Sequence, residues 1–307
     1  MHAKKTQGMS RALVRHETIA GYLFLLPGLF FFLVFVIWPM LLCLYTSFFD
    51  STMGKNAADV FVGFGNYREL LHDEIFLGAL KNTLVIVAVS VPVVCAFSLW
   101  VASAICDMSP ALISVFRCVF YLPVVTGSVA VTVVWKWMYN NYYGIFNYLF
   151  RSVGITEKNI NWLGDPRFAL WCIILILITT SVGQPIVLYV SALGNVDKTL
   201  VEAAEVDGAD RRQCFWRIKW PQMMPTTLYI LIITMINSFQ CFALIQLLTS
   251  GGPNHSTDTI MYYIYYTAFK LYRYGYGNAM GVVLMVIIAI LSAVQFRLGQ
   301  SSAREGV

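Results

Sequence analysis

The stretch Glu202-Ala203-Ala204-Glu205-Val206-Asp207-Gly208 is followed, after nine residues, by Ile218-Lys219-Trp220-Pro221. Glu202 to Val206 are good helix formers, with acids near the start, where the helix dipole favours them. Gly208 can adopt the positive φ that ends a helix without a Cβ penalty. Arg211 to Lys219 make a basic, aromatic second segment, and Pro221 and Pro225 open a long apolar run. Two short helices meeting at a glycine form a knob that another protein can grip, with Glu202 placed for a charge-assisted contact. This is recognition chemistry; no bond is made or broken by such residues.

Groups suited to catalysis are scattered. The four histidines, His2, His16, His72 and His255, are far apart in sequence, and the seven cysteines contain no CxxC pair to hold a metal. The cysteines read as small apolar filler. The one Gly-Lys pair, Gly54-Lys55, lacks the earlier glycine of a phosphate loop, because Phe49 stands there. No metal or cofactor is expected on this chain. Any energy source for uphill work must come from a partner.

A second set of residues is polar but uncharged and lies within apolar runs. Asn237, Ser238 and Gln240, followed by Cys241, sit in one; Thr179, Gly183 and Gln184 sit in another. Sugars are held by hydrogen bonds to their hydroxyls, with apolar or aromatic surface beneath, so such groups suit a solute pathway. They are equally the ordinary glue of helix interfaces. Both readings stay open here.

The elements that must position these residues follow from composition. Of 307 residues 58% are hydrophobic and only 12% charged, and the mean hydropathy is +0.68. A soluble domain carries about 25% charged residues. No Asp, Glu, Lys or Arg interrupts Thr18–Phe49, Asn82–Cys106, Cys118–Trp135, Phe168–Val196, Pro221–Thr257 or Tyr274–Phe296. A crossing needs about 20 apolar residues, and these runs do not alternate as barrel strands do. The expected fold is all-α, a polytopic membrane protein with six transmembrane helices and both termini cytoplasmic. Pro27 and Pro39 are expected to kink the first, which is too long for a cleaved leader. Orientation rests on Lys4, Lys5, Arg11 and Arg15 before the first run, and on acids such as Asp59, Glu69 and Asp73 after it. The expected division is a cytoplasmic segment 1–18, a six-helix permease domain 19–298 with a cytoplasmic coupling loop at 197–221, and a tail 299–307. Tyrosines at 262–276 and the group around Trp135-Lys136-Trp137 read as interfacial belts. The net charge of +5 is dispersed, which suggests no nucleic acid.

The 202–221 stretch resembles the signature loop of the membrane permeases of ATP-binding-cassette importers: E-A-A, three residues, Gly, nine residues, I-x-L-P. Every position matches except the leucine, which is Trp220. Phe61-Val62-Gly63-Phe64-Gly65-Asn66-Tyr67, Trp162-Leu163-Gly164-Asp165-Pro166 and Ala243–Pro253 extend the resemblance to the carbohydrate branch. There the chain is similar to the larger membrane subunits of maltose-type importers, without their extra N-terminal spans and outer domain. The resemblance implies that Glu202, Ala203, Ala204, Asp207, Gly208, Ile218, Trp220 and Pro221 dock on an ATPase dimer, which binds the ATP and Mg. It implies a second permease, expected to be non-identical, and an extracytoplasmic sugar-binding lipoprotein or periplasmic protein. It puts Thr179, Val182, Gly183, Ile186, Ser238 and Cys241 at sugar-contacting positions. Glycerol phosphate or its phosphodiesters are alternative cargo. A self-contained channel or ion-coupled transporter is disfavoured by the lack of charges in the runs.

Overall fold

The computed structural model describes residues 11–52 and 59–305. The first crossing is built from α1 (Arg11–Phe32), a five-residue π turn (Leu33–Ile37) and α2 (Trp38–Thr46). Pro39 cannot donate a hydrogen bond, and its ring would strike the carbonyl four residues back. The wider turn opens room for it, and the Trp38 amide reaches Leu33 O, five residues back. Pro27 lies inside α1 without breaking it. The proline-driven irregularity is therefore a local widening before Pro39. None of the most apolar window of Thr18–Thr46 is buried within the chain.

At one end of the molecule β1 (Phe49–Asp50) pairs antiparallel with β2 (Val60–Phe61), Phe49 opposite Phe61. The helix α3 (Gly65–Leu70) follows. The buried amide of Asn66 donates to the carbonyls of Ser47 and Phe49, at 2.8 and 2.9 Å. Tyr67 and Ser47 share a 2.6 Å hydroxyl contact. The helix α4 (Glu74–Ile105) is capped by Asp73, which accepts from the amides of Ile75 and Phe76. The other Asp73 oxygen accepts from the Tyr263 and Tyr276 hydroxyls, at 2.9 and 2.6 Å. Arg273 lies 4.5 Å over the Tyr276 ring and makes a two-pronged bond to Glu69. One clasp thus ties the first crossing, α4 and the C-terminal part of the chain.

The expected straight crossing at Cys118–Trp135 is broken. The helix α5 (Pro110–Val125) begins earlier, and α6 (Ser128–Met138) turns away from it by 94°. Thr126 and Gly127 leave the helical region between them. Arg117 therefore sits midway along α5, not at its end. After α7 (Ile145–Ser152) comes a pair bent by 41°, α8 (Ala169–Ser181) and α9 (Gly183–Gly194). Pro185 lacks the N–H that would have bonded Ser181 O, which weakens the helix at this bend. Next are α10 (Lys198–Val206), α11 (Arg211–Cys214), α12 (Trp220–Phe239), α13 (Ala243–Leu248), α14 (Ile260–Phe269) and α15 (Tyr274–Glu305).

The protein is thus a mostly helical, polytopic membrane protein. Among the described residues four helical stretches are long and apolar enough to cross, and two bent helix pairs reach that length only together, each as a broken span or a re-entrant loop. The core forms where α4 packs between α9 and α12, with Val94, Ala102, Ile186, Met223 and Ile230 fully or almost fully buried. Small polar side chains stitch it: Ser90 to Ser238 at 3.0 Å, and Ser98 to Val182 O at 3.3 Å.

Burial pulls the Asp73 carboxyl upward, but the Tyr276 and Tyr263 hydroxyls and two backbone amides outweigh it and hold its pKa low. A lowered carboxyl stabilises the fold above its unfolded value near 3.9 and loses that effect as pH falls through the folded value. Asp73→Ala should lower the Tm of the detergent-purified chain, losing about 1 to 2 kcal/mol from the cap. The gap from wild type should be flat between pH 8 and 5 and shrink in stronger acid. A gap that instead widens in acid would refute this role.

Candidate functional site

The knob forms where the residues place it, but its first helix starts earlier than the acids suggest: no acid lies in the first turn of α10, and Glu202 and Glu205 fall in its middle and last turn. Asp197 caps α10, accepting from the amide and hydroxyl of Thr199 at 2.9 and 2.8 Å. At its far end Gly208 takes φ +86°. The Gly208 amide reaches Glu205 O and the Ala209 amide reaches Ala204 O, at 3.1 and 2.9 Å. This paired closure satisfies the last carbonyls of the helix. Asp210 and Gln213 then start α11 with a reciprocal capping box. Glu202, Ala203, Asp207 and Gly208 are exposed and Ala204 is half-buried. Val206 stands bare, 88% exposed.

One detail differs from two separate short helices. The second limb has no break before the crossing: α11 continues through a π turn, Phe215–Lys219, straight into α12. The Trp220 amide bonds Phe215 O five residues back, immediately before Pro221. This repeats the solution at Trp38-Pro39. Phe215 and Trp220 pack on the core, Ile218 is half-buried and Pro221 exposed. Lys219, at the base of the knob, lies within electrostatic reach of Cys106, which closes the far end of α4 from Asp73.

The second feature is a pair of adjoining cavities. One is lined by Thr180, Ser181, Gln184 and Asn237 with apolar neighbours. The other is lined by Thr126, Ser128, Gln240, Cys241 and Phe242 among others. They share Val124, Thr180 and Asn237. Their walls come from three places where a helix is interrupted: Thr126-Gly127, Val182-Gly183 and Gln240–Phe242. No ionisable acid or base lines either cavity apart from the Cys241 thiol, and no cluster among the described residues could hold a metal.

The sequence-selected residues divide between these walls and the packing behind them. Asn237, Gln240 and Cys241 line the cavities. Ser238 is buried and bonded to Ser90. Val182 and Ile186 are in the core, and the Thr179 hydroxyl returns to Ile176 O at 2.8 Å. Gly183 is buried where α9 meets α5, and a Cβ there would collide with Phe120 O. Sequence reasoning missed Thr180, Ser181, Thr126 and Ser128. The Pro123…Gly127 pair, inside an apolar run, was the available signal for the last two.

Residues 75–303 match the family of binding-protein-dependent transport system inner membrane components. The chain belongs to that family. It is similar to the multiple sugar-binding transport system permease protein MsmF of Streptococcus mutans, 32% identical over 91% of this chain and 95% of the relative. It is also similar to the sn-glycerol-3-phosphate transport system permease protein UgpA of Agrobacterium fabrum, 29% identical over 96% of this chain and all of the relative. A bacterial alginate transporter crystallised with its alginate pentasaccharide-bound periplasmic protein shares the fold. It has a TM-score of 0.79 and 24% identity, over 95% of this chain and 98% of the matched one. The chain is thus a multi-pass permease of the bacterial inner membrane, and its relatives are transport permeases, not enzymes.

Two glycines of α9 test the packing behind this permease's cavities. A Cβ at Gly194 meets nothing within 4 Å, whereas one at Gly183 meets backbone. Gly194→Ala should leave Tm unchanged or raise it, since alanine favours helix by about 0.5 to 1 kcal/mol. Gly183→Ala should lower Tm clearly in the same detergent assay. Equal Tm values for both variants would show that α5 does not pack against Gly183.

Proposed function

We propose that this permease is one of two membrane subunits of an ATP-driven importer and forms half of a pathway for a neutral sugar, an oligosaccharide, handed over by an extracytoplasmic binding protein. The observation that carries the reading is the uncharged polar cavity at three helix breaks, one of which ends α12, the helix that continues into the knob. Hydroxyl and amide groups at Thr180, Ser181, Gln184, Asn237 and Gln240 suit sugar hydroxyls. The sugar-binding system of the relative MsmF supports the same cargo class.

Counting each bent pair as one crossing gives six, with both termini and the knob on the cytoplasmic side. The clasp at Asp73 then faces outward. An ATPase dimer grips the knob, with Glu202 meeting a basic group, and supplies the ATP and Mg chemistry. The second permease, of different sequence, closes the open side of the cavity.

The relative UgpA favours a second reading, glycerol phosphate. An anion would seek a cation, and half-buried Arg117 has an Nε with no partner among the described residues. It sits seven residues from cavity-lining Val124, roughly 10 Å along α5, so it stands outside both cavities.

The test is the importer reconstituted in vesicles with its ATPase, second permease and binding protein. Glu202→Ala should weaken docking about tenfold or more, the effect of losing a hydrogen bond to a charged group. Gly208→Val should uncouple ATP hydrolysis from uptake, while Gly208→Asn, which tolerates positive φ, should largely keep it. Wild-type transport by both Glu202→Ala and Gly208→Val would make the knob a spacer. Asn237→Leu should cut sugar uptake several-fold at equal expression. Uptake of glycerol phosphate alone by the wild type would overturn the neutral-sugar reading.

A further inference from the structure

The tyrosines of α14 fall into two sets. Tyr263, with Tyr276 of α15, is buried and serves the Asp73 clasp. Tyr262, Tyr265, Tyr266 and Phe269 occupy a different face, at i, i+3, i+4 and i+7. Their rings form a connected series that begins in the cavity. Phe242, a cavity wall, lies 5.0 Å from Tyr265 and 6.4 Å from Tyr262, the latter pair within 25° of parallel. Tyr262 stacks on Tyr266 at 6.3 Å and 26°, and Tyr265 lies 5.5 Å from Phe269 at 31°.

The series also has a direction. The foot of α14 is pinned beside the cavity, where the Thr259 hydroxyl donates to Cys241 O at 2.8 Å and the Ile260 amide donates to Thr83 at 3.0 Å. Its head leads to Arg273, which is bonded to Glu69 and bridged to Thr52 at the clasp. Ten residues of helix climb about 15 Å between them. Exposure rises along the way: Tyr262 is 7% exposed, Tyr266 37% and Phe269 60%.

We infer that Phe242, Tyr265, Tyr266 and Phe269 form a ladder of stacking sites, backed by buried Tyr262, whose hydroxyl donates to Ser250 O, and that it feeds a neutral, pyranose-based oligosaccharide from the clasp end into the cavity; this rests on the sugar reading above. A pyranose ring presents an apolar C–H face that packs on an aromatic face, while its hydroxyl rim stays free for water. Several weak, equivalent sites in a row bind without trapping, which a moving solute requires. Rings 5.0 to 6.4 Å apart along one helix face supply that repetition. A charged or single-point ligand would gain nothing from it.

The experiment uses cells carrying the whole importer and labelled probes: gluco-, galacto- and manno-configured neutral disaccharides and pentasaccharides, and glycerol 3-phosphate. Tyr266→Ala and Phe269→Ala should each raise KM for the accepted pentasaccharide roughly two- to tenfold, the scale of one aromatic contact. The rate at saturation should be unchanged, and the disaccharide of the same configuration should be affected less. Tyr266→Phe and Phe269→Tyr should restore wild-type KM, since the contact needs a ring face. If the wild type carries the pentasaccharide and the alanine variants match its KM, the ladder is an interfacial belt and the inference fails alone. If the wild type carries only glycerol 3-phosphate, the sugar reading fails and takes the ladder with it.

Discussion

A peptide group in hydrocarbon has no water to bond, and leaving one unpaired costs several kcal/mol. Every interruption of a crossing helix must therefore be covered by protein or opened to a wet cavity. Three such interruptions occur among the described residues, and residues at or beside each of them line the same pair of cavities. Hydroxyls beside two of the breaks fold back onto their own helices and leave no bare side-chain donor there: Thr126 bonds Leu122 O and Thr180 bonds Ile176 O. The Cys241 carbonyl, beyond the end of α12, is met by Thr259 from the foot of α14. The position of the polar cavity is in this sense a consequence of backbone satisfaction, with side-chain chemistry following.

The rest of the fold holds those breaks in register. Helix α4 is the common neighbour: Ser90 fixes the end of α12, Ser98 fixes the α8–α9 bend, and Asn82 and Thr83 fix the loop and foot of α14. At its start, Asp73 gathers α14 and α15. One helix thus carries the geometry of two of the three breaks and of the foot of α14, through hydrogen bonds spaced along its length. The clasp at one end is dense with such bonds. The knob at the other is capped internally and otherwise exposed.

The knob was legible because its signals are local. A run of helix formers, a glycine at the end and a proline at the next helix are each a matter of a few residues, and the positive φ at Gly208 follows from them. The start was misplaced, because Asp197 caps the helix one turn before Glu202. The apolar runs were legible in place, but not in shape. A run of leucines and valines reads the same whether the helix is straight or turns by 94°, as at Thr126-Gly127. The choice among Thr179, Thr180 and Ser181 was also hidden. It depends on the rotation of α8 and α9, which is set by Gly183 meeting Phe120, a contact between distant parts of the chain.

The unbroken run from Arg211 to Phe239 has a mechanical consequence. It is a single strut of roughly 43 Å at 1.5 Å per residue, with its foot in the knob and its tip at Asn237. A jointed linkage would divide a displacement among its hinges; a strut delivers an axial stroke whole to the opposite end. The compliant places are the wide turn at Phe215–Lys219 and Pro225, both nearer the foot than the tip, so bending there would swing the tip through a longer arc than the push that caused it. Small movements at the knob would be magnified beside the cavities.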